Sequence, residues 1–227
     1  ALLLGSNDKI DEIWGVNNVV GPRLPLALIP TTSGTGSEVT PISIITLSNY
    51  EKKGVSSKVI IPDLAVLDSL LTIDLPSKTT ASTGIDAMVH AIEAYTSKSA
   101  NNNPISKALA EKALDLIGGS IIQAVINGKN DEESRNKMLL GSLMAGMSFA
   151  NSPVAAVHAL AYPLGGKYKI THGLSNALIL PYVIKFNMKD EATRNSYLYL
   201  SDIIFPQTKH IKNPKDKSLV FINEFIN

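Results

Sequence analysis

The sequence predicts an α/β segment over about the first third of the chain and an all-helical segment after it, and three observations carry that expectation. Short apolar runs bounded by Pro and Gly recur up to about residue 67, as strands do. From Pro76 onward the pattern takes a helical period, punctuated by Asn101-Asn-Asn-Pro104, Asn127-Gly128, Asn151-Ser-Pro153 and Gly165-Gly166. The 227 residues are 44% hydrophobic and 18% charged, enough for one or two domains around a real core. A boundary near residue 75 then divides the chain into 1–75 and 76–227.

The elements follow in order. Ala1-Leu-Leu-Leu reads as the last turns of a helix ending at Gly5-Ser-Asn, and without an initiator Met the chain reads as part of a longer protein. Asp8 to Trp14 is expected as a short helix. Leu26-Ala-Leu-Ile29, stopped by Pro30, is expected as a buried strand, with further strands at Ile42 to Leu47, Val59 to Ile61 and Leu64 to Leu67. Lys52 and Lys53 fall in the polar turn between the second and third of these, as solvated charges. Helices are expected at 79–97, 104–126, 131–149, 153–163, 173–186, 190–204 and 216–226. The glycines of Gly141-Ser-Leu-Met-Ala-Gly146 permit close helix contact.

Composition excludes several function classes. With 21 basic and 20 acidic residues the net charge is +1, which leaves no electrostatic footprint for nucleic acid or an anionic membrane. The absence of cysteine removes disulfides, redox dithiols, Cys-ligated zinc and a Cys nucleophile together. No apolar run has the length of a membrane span and the first residues do not read as a signal peptide, so a cytoplasmic location is the default expectation.

The chemistry concentrates in Gly84-Ile-Asp-Ala-Met-Val-His-Ala-Ile-Glu-Ala-Tyr95. Asp86 and His90 stand four residues apart among good helix formers, so both side chains share one helix face. His158 and His172 lie fourteen positions apart, and His210 is the remaining histidine. One Asp and three His make a mixed O/N set suited to a divalent ion such as Fe²⁺ or Zn²⁺. A surface ion pair satisfies the Asp-x-x-x-His spacing equally well, but His158 sits in the apolar run Val154-Ala-Ala-Val-His-Ala-Leu-Ala161, where a buried imidazole must find a partner. Thr31-Thr-Ser-Gly-Thr-Gly-Ser-Glu38 is a loop of hydroxyls and glycines able to approach a phosphate or polar cofactor edge. It lacks the third glycine of the dinucleotide fingerprint and is not a Walker A loop, so an ordinary turn is an equal reading.

Read together, Pro30-Thr-Thr-Ser-Gly-Thr-Gly-Ser-Glu-Val-Thr40, Ala81-Ser-Thr-Gly-Ile-Asp-Ala-Met-Val-His-Ala-Ile-Glu-Ala-Tyr95, His158-Ala-Leu-Ala-Tyr-Pro-Leu-Gly-Gly166 and His172-Gly-Leu-Ser-Asn-Ala177 resemble the iron-containing alcohol dehydrogenase family in order and spacing, nearest its lactaldehyde, propanediol and simple alcohol dehydrogenase branch. The resemblance covers most of the chain. It implies a dehydroquinate synthase-like fold, with a dinucleotide-binding α/β part, here incomplete, before a helical domain and a cleft between them. It implies that Asp86, His90, His158 and His172 hold a divalent metal, usually Fe²⁺. Thr31, Thr32 and Lys52, with Lys53 as the alternative, would touch NAD or NADP, and Phe149 would line the substrate pocket. The implied activity is interconversion of a small primary alcohol or diol with its aldehyde by hydride transfer, in a homo-oligomer.

Three departures qualify that picture. The family's glycine-rich pyrophosphate loop and the acidic residue that selects NAD over NADP would lie before residue 1. Further C-terminal helices would follow Asn227. Many relatives carry another histidine one turn after the third ligand, and here that place is Tyr162, whose hydroxyl donates and accepts but titrates near 10 when unperturbed. Two rival expectations remain, a metal-binding fragment without turnover and a non-redox metal-dependent hydrolase or lyase.

Overall fold

The computed structural model describes residues 1–48 and 51–226; Asn227, the last position of the expected second domain, lies outside the described residues. A single turn, α1 (Leu2–Gly5), opens the chain. A three-stranded sheet has the order β1 (Gly15–Val16), β4 (Lys52–Ser56), β3 (Ile42–Thr46), with β1 parallel and β3 antiparallel to the central strand. Ile42 pairs with Ser56 and Thr46 with Lys52. A separate two-stranded pairing sets β2 (Ala27–Leu28) parallel to β5 (Leu64–Ala65).

Several local expectations are corrected here. Residues 10–12 form a turn and not a helix, and Asp8 instead accepts the backbone amides of Val20 and Gly21. Val59 to Ile61 is no strand, because Ser57 caps a 3-10 turn over Lys58–Ile60. Lys52 and Lys53 belong to β4 rather than to a turn. The run at residues 26–29 is not a buried strand: two residues pair, and Ile29 is 53% exposed because the pairing to β5 is only two residues long. Arg23 ties this region together by pairing its two terminal guanidinium nitrogens with Asp63, whose carboxylate also accepts Leu26 N–H.

The helical part is built around α2 (Ser77–Thr96), which touches α3 (Pro104–Gly118), α4 (Ile121–Asn127), α5 (Glu132–Asn151), α7 (His172–Asn187) and α8 (Glu191–Ile204). A helix covered on so many sides cannot be amphipathic in the ordinary sense. Accordingly Ala87, Val89, Ala91 and Ala94 are fully buried, and small side chains let the neighbours approach. Among the described residues the remaining helices of this part are α6 (Ala156–Tyr168) and α9 (Pro214–Glu224). Asn103, Asp131, Asp190 and Asn213 cap α3, α5, α8 and α9 by accepting backbone amides of the first turn, as their residue types predict.

The single helix expected over 104–126 is two helices. It breaks at Gly118-Gly119, where a Cβ on Gly118 would stand 3.0 Å from the carbonyl oxygen of Ile204 at the end of α8. The helix expected at 153–163 starts later and runs on to Tyr168 through Pro163, its eighth residue, which forgoes one backbone hydrogen bond inside the helix.

Two close approaches carry the glycine-rich loop onto the helices. A Cβ on Gly146 of α5 would meet the Gly36 carbonyl oxygen at 2.8 Å, and one on Gly34 would meet Thr83 Cβ of α2 at 2.9 Å. Gly36 itself has φ of +59°, the left-handed region that favours glycine. The loop over 31–38 is thereby laid across α2 and α5.

Candidate metal centre

Helical period puts Asp86, His90 and Glu93 on one face of α2, and all three are buried. Polar groups inside an apolar bundle require partners, and here each finds one. His90 Nδ1 lies 3.2 Å from the Gly34 carbonyl oxygen, so Nδ1 carries the proton and Nε2 keeps its lone pair. Its ring stacks between Phe149 and His158, with both centroids 4.5 Å away.

His158 and His172 enter from the first turns of α6 and α7. His158 Nδ1 stands 2.6 Å from Glu93 Oε2, while the two oxygens of Glu93 also accept Val157 N–H at 2.7 Å and Ala155 N–H at 3.0 Å. Burial raises the carboxyl of Glu93, but the bond from His158 and the two backbone amides outweigh it and hold the group below the usual range. One turn beyond His172, the fully buried Asn176 donates to Asp86 Oδ1 at 2.6 Å, and the same nitrogen lies 3.2 Å from His158 Nε2 and 3.4 Å from His172 Nε2.

Ligand atoms of Asp86, His158 and His172 all fall within 4.8 Å of one another. The structure does not bring a nitrogen of His90 into that group. One helical turn separates His90 from Asp86, and its ring is turned into the stack with Phe149 and His158. Tyr162 is beside the trio, its ring 6.0 Å from that of His172, and burial followed by the Asp86 charge raises its hydroxyl. Phe149 is buried as the outer wall of the His90 stack. Lys52 is exposed on β4, and its charge reaches His172. Of the two loop threonines, Thr31 is exposed and Thr32 half-buried, whereas Thr35 lines a cleft of about 610 Å³ with Ser82, Thr83, Asp86 and His172.

Burial favours the neutral form of His90 and His172. Burial pulls His90 down to about 4, with the Asp86 carboxylate opposing it and the other two histidines adding to it. Burial also lowers His172, again against Asp86 and assisted by His158 and Lys52. Neutral imidazole and ionised carboxylate are the forms that bind a cation.

Sequence reasoning missed two contributors, Glu93 and Asn176. Both were legible in principle: Glu93 is three residues after His90, and Asn176 is four after His172, the spacings that repeat a helix face.

The residues present fit a divalent ion. Three acceptor atoms from three helices converge on one electropositive N–H₂ group, that of Asn176, whose Oδ1 is buried without a hydrogen-bond partner among the described residues. His90 and His158 each give their Nδ1–H to an outer oxygen and leave Nε2 as the accepting nitrogen, which is how ligating histidines are oriented. Nitrogen and oxygen donors without thiolate suit Fe²⁺ or Zn²⁺.

A small sheet feeding a Gly/Thr loop onto a helical bundle with an Asp/His cluster at its centre defines an α/β-plus-helical protein with a candidate metal site. Comparison with known proteins sharpens that class. Residues 1–69 match the model for iron-containing alcohol dehydrogenase, and residues 80–223 match that for the C-terminal part of the Fe-containing alcohol dehydrogenase family. The chain belongs to the iron-containing alcohol dehydrogenase family. It is 51% identical over 175 residues to Long-chain-alcohol dehydrogenase 1 of Geobacillus thermodenitrificans, covering 77% of this chain and 43% of that protein. Among solved structures it is similar to an alcohol dehydrogenase from Oenococcus oeni, with TM-score 0.89 and 34% identity over 98% of this chain and 57% of that one. It is also similar to sulfoacetaldehyde reductase from Bifidobacterium kashiwanohense in complex with NAD⁺, with TM-score 0.82 and 31% identity over 97% of this chain and 56% of that one. The chain thus spans about half the length of the relatives it matches.

Proposed function

We propose that this chain is the metal-binding part of an NAD(P)-linked oxidoreductase that interconverts a small primary alcohol or diol and its aldehyde by hydride transfer. The observation that carries the proposal is the convergence of Asp86, His158 and His172 beside the cleft bordered by Thr35. A divalent ion held there, Fe²⁺ by family and Zn²⁺ as the alternative, would supply Lewis-acid polarisation of the substrate oxygen, and a bound nicotinamide would supply the hydride chemistry. Asp86, His158 and His172 are the proposed ligands, and His90 the fourth through its free Nε2. Asn176 steadies Asp86 by donating to Oδ1. Phe149 and His90 keep water from the inner wall by stacking. Tyr162 is the proposed hydroxyl beside the reacting oxygen, holding a proton without titrating near neutrality. Thr31, Thr32 and Lys52 are the proposed nucleotide contacts, with Lys53 excluded from first choice because its ammonium lies over the Trp14 ring, 5.7 Å from the centroid.

A division near residue 75, a cytoplasmic location and a homo-oligomer belong to the same proposal. Among the described residues no helix is long and apolar enough to cross a membrane. A second reading is favoured by one observation: Asp86, His158 and His172 converge without a nitrogen of His90, an arrangement that would bind a metal without turnover.

The experiment follows nicotinamide absorbance with 1,2-propanediol, 1,3-propanediol and ethanol, using the full-length protein after chelation and again after adding Fe²⁺ or Zn²⁺. Turnover that needs both nucleotide and metal supports the proposal. Metal retention without nucleotide binding supports the second reading, and hydrolysis independent of nucleotide overturns both.

A further inference from the structure

Glu93 is 5% exposed in the middle of an otherwise apolar stretch of α2. Its carboxylate serves three donors from one neighbouring segment: Ala155 N–H and Val157 N–H at the start of α6, and Nδ1 of His158 in the same turn. An ionised carboxylate only accepts, so Nδ1 must carry a proton, and the Asn176 N–H₂ group 3.2 Å from Nε2 meets the lone pair that the neutral ring keeps there. Nε2 is the atom that looks into the cluster, 3.8 Å from Asp86 Oδ1. One carboxylate therefore fixes where α6 begins and which nitrogen of His158 is presented.

We infer that Glu93 is a positioning residue for the cation site, holding His158 in the tautomer and orientation that ligate. The inference rests on the metal-binding half of the proposed function and is independent of its redox half. It differs from a helix cap alone, which would stabilise α6 without selecting a tautomer.

Glu93→Gln separates the two roles, because an amide has one accepting and one donating side and cannot serve three donors. With its oxygen toward Val157, the NH₂ group donates to His158 Nδ1 and forces the Nε2–H tautomer, which cannot ligate. With its oxygen toward His158 the tautomer survives, but the charge is gone and Val157 N–H faces another donor. Either way the site weakens.

The test titrates the chelated full-length protein with Co²⁺ alone, followed by its visible absorption, and reads the His158 ring tautomer in the metal-free protein from nitrogen chemical shifts. The wild type is expected to show Nδ1–H, and Glu93→Gln is expected to bind Co²⁺ about 10- to 100-fold more weakly. Glu93→Ala, which removes the cap as well, is expected to lose thermal stability and Co²⁺ affinity together. Co²⁺ affinity of Glu93→Gln within twofold of wild type, or a wild-type His158 that is Nε2–H, overturns the inference. The wild-type tautomer decides the matter even if both variants fail to fold. Should alcohol oxidation be absent while the Co²⁺ and tautomer results hold, the redox proposal fails and this inference stands.

Discussion

Gly173→Ala is the perturbation with the sharpest expected outcome. Gly173 follows His172 in the first turn of α7, and a Cβ there would lie 2.1 Å from the Ser82 carbonyl oxygen and 2.7 Å from its carbon. Both obstacles are backbone of α2, so no rotamer change relieves them. To restore ordinary contact α7 must back off from α2 by about 1 Å, the kind of overpacking that costs about 1–3 kcal/mol. Helix preference for Ala over Gly returns no more than about 1 kcal/mol. The net loss of up to about 2 kcal/mol lowers the melting temperature of a chain of this size by up to roughly 8 °C. The same shift strains the 2.6 Å bond from Asn176 to Asp86, so metal affinity should fall with stability. Gly166→Ala is the control: nothing lies within 4 Å of its Cβ, and the change should be neutral or stabilising by up to about 1 kcal/mol. Melting curves followed by circular dichroism compare the two. A Gly173→Ala protein melting at or above the wild type would refute the close-packing account of how α7 delivers His172.

Two further outcomes are expected. His90 titrates at about 4 folded against 6.5 unfolded, so its contribution is whole above 6.5 and is lost as pH falls from there towards 4. That gap is worth about 3 kcal/mol in all, of which about 2 kcal/mol disappears between pH 7 and pH 5. Chelated protein should melt several degrees lower at pH 5, and a flat profile would contradict the burial of that ring. Arg135→Met should destabilise by about 2–4 kcal/mol, because the buried guanidinium serves Thr80 Oγ1 at 2.7 Å and the carbonyls of Ile73, Leu75 and Gly128, each of which loses that donor. Urea titration measures it; a shift below 1 kcal/mol would show that water replaces the guanidinium.

The helical half was legible because its signals are local. Caps at Asn103, Asp131, Asp190 and Asn213 and breakers between them mark helix ends from a few adjacent residues, and the Asp86/His90 spacing announces a shared face. The first third was less so. Its strands are short, and whether a run such as residues 59–61 pairs or turns depends on which partner is within reach, as Ser57 capping the 3-10 turn demonstrates. Gly118-Gly119 misled for a similar reason: glycine is tolerated in a helix until another backbone, here at Ile204, comes close enough to require it.

What the sequence determined by itself was the donor inventory, the helices that bear it and the family resemblance, since all three are written in residue type and spacing. Tertiary structure alone decided which atoms face one another. It joined Asp86, His158 and His172, turned His90 into a stack, and recruited Glu93 and Asn176. The physical reason is that a helix fixes direction only within a few residues. Convergence across 90 positions, from Asp86 to Asn176, is set by how α2, α6 and α7 pack.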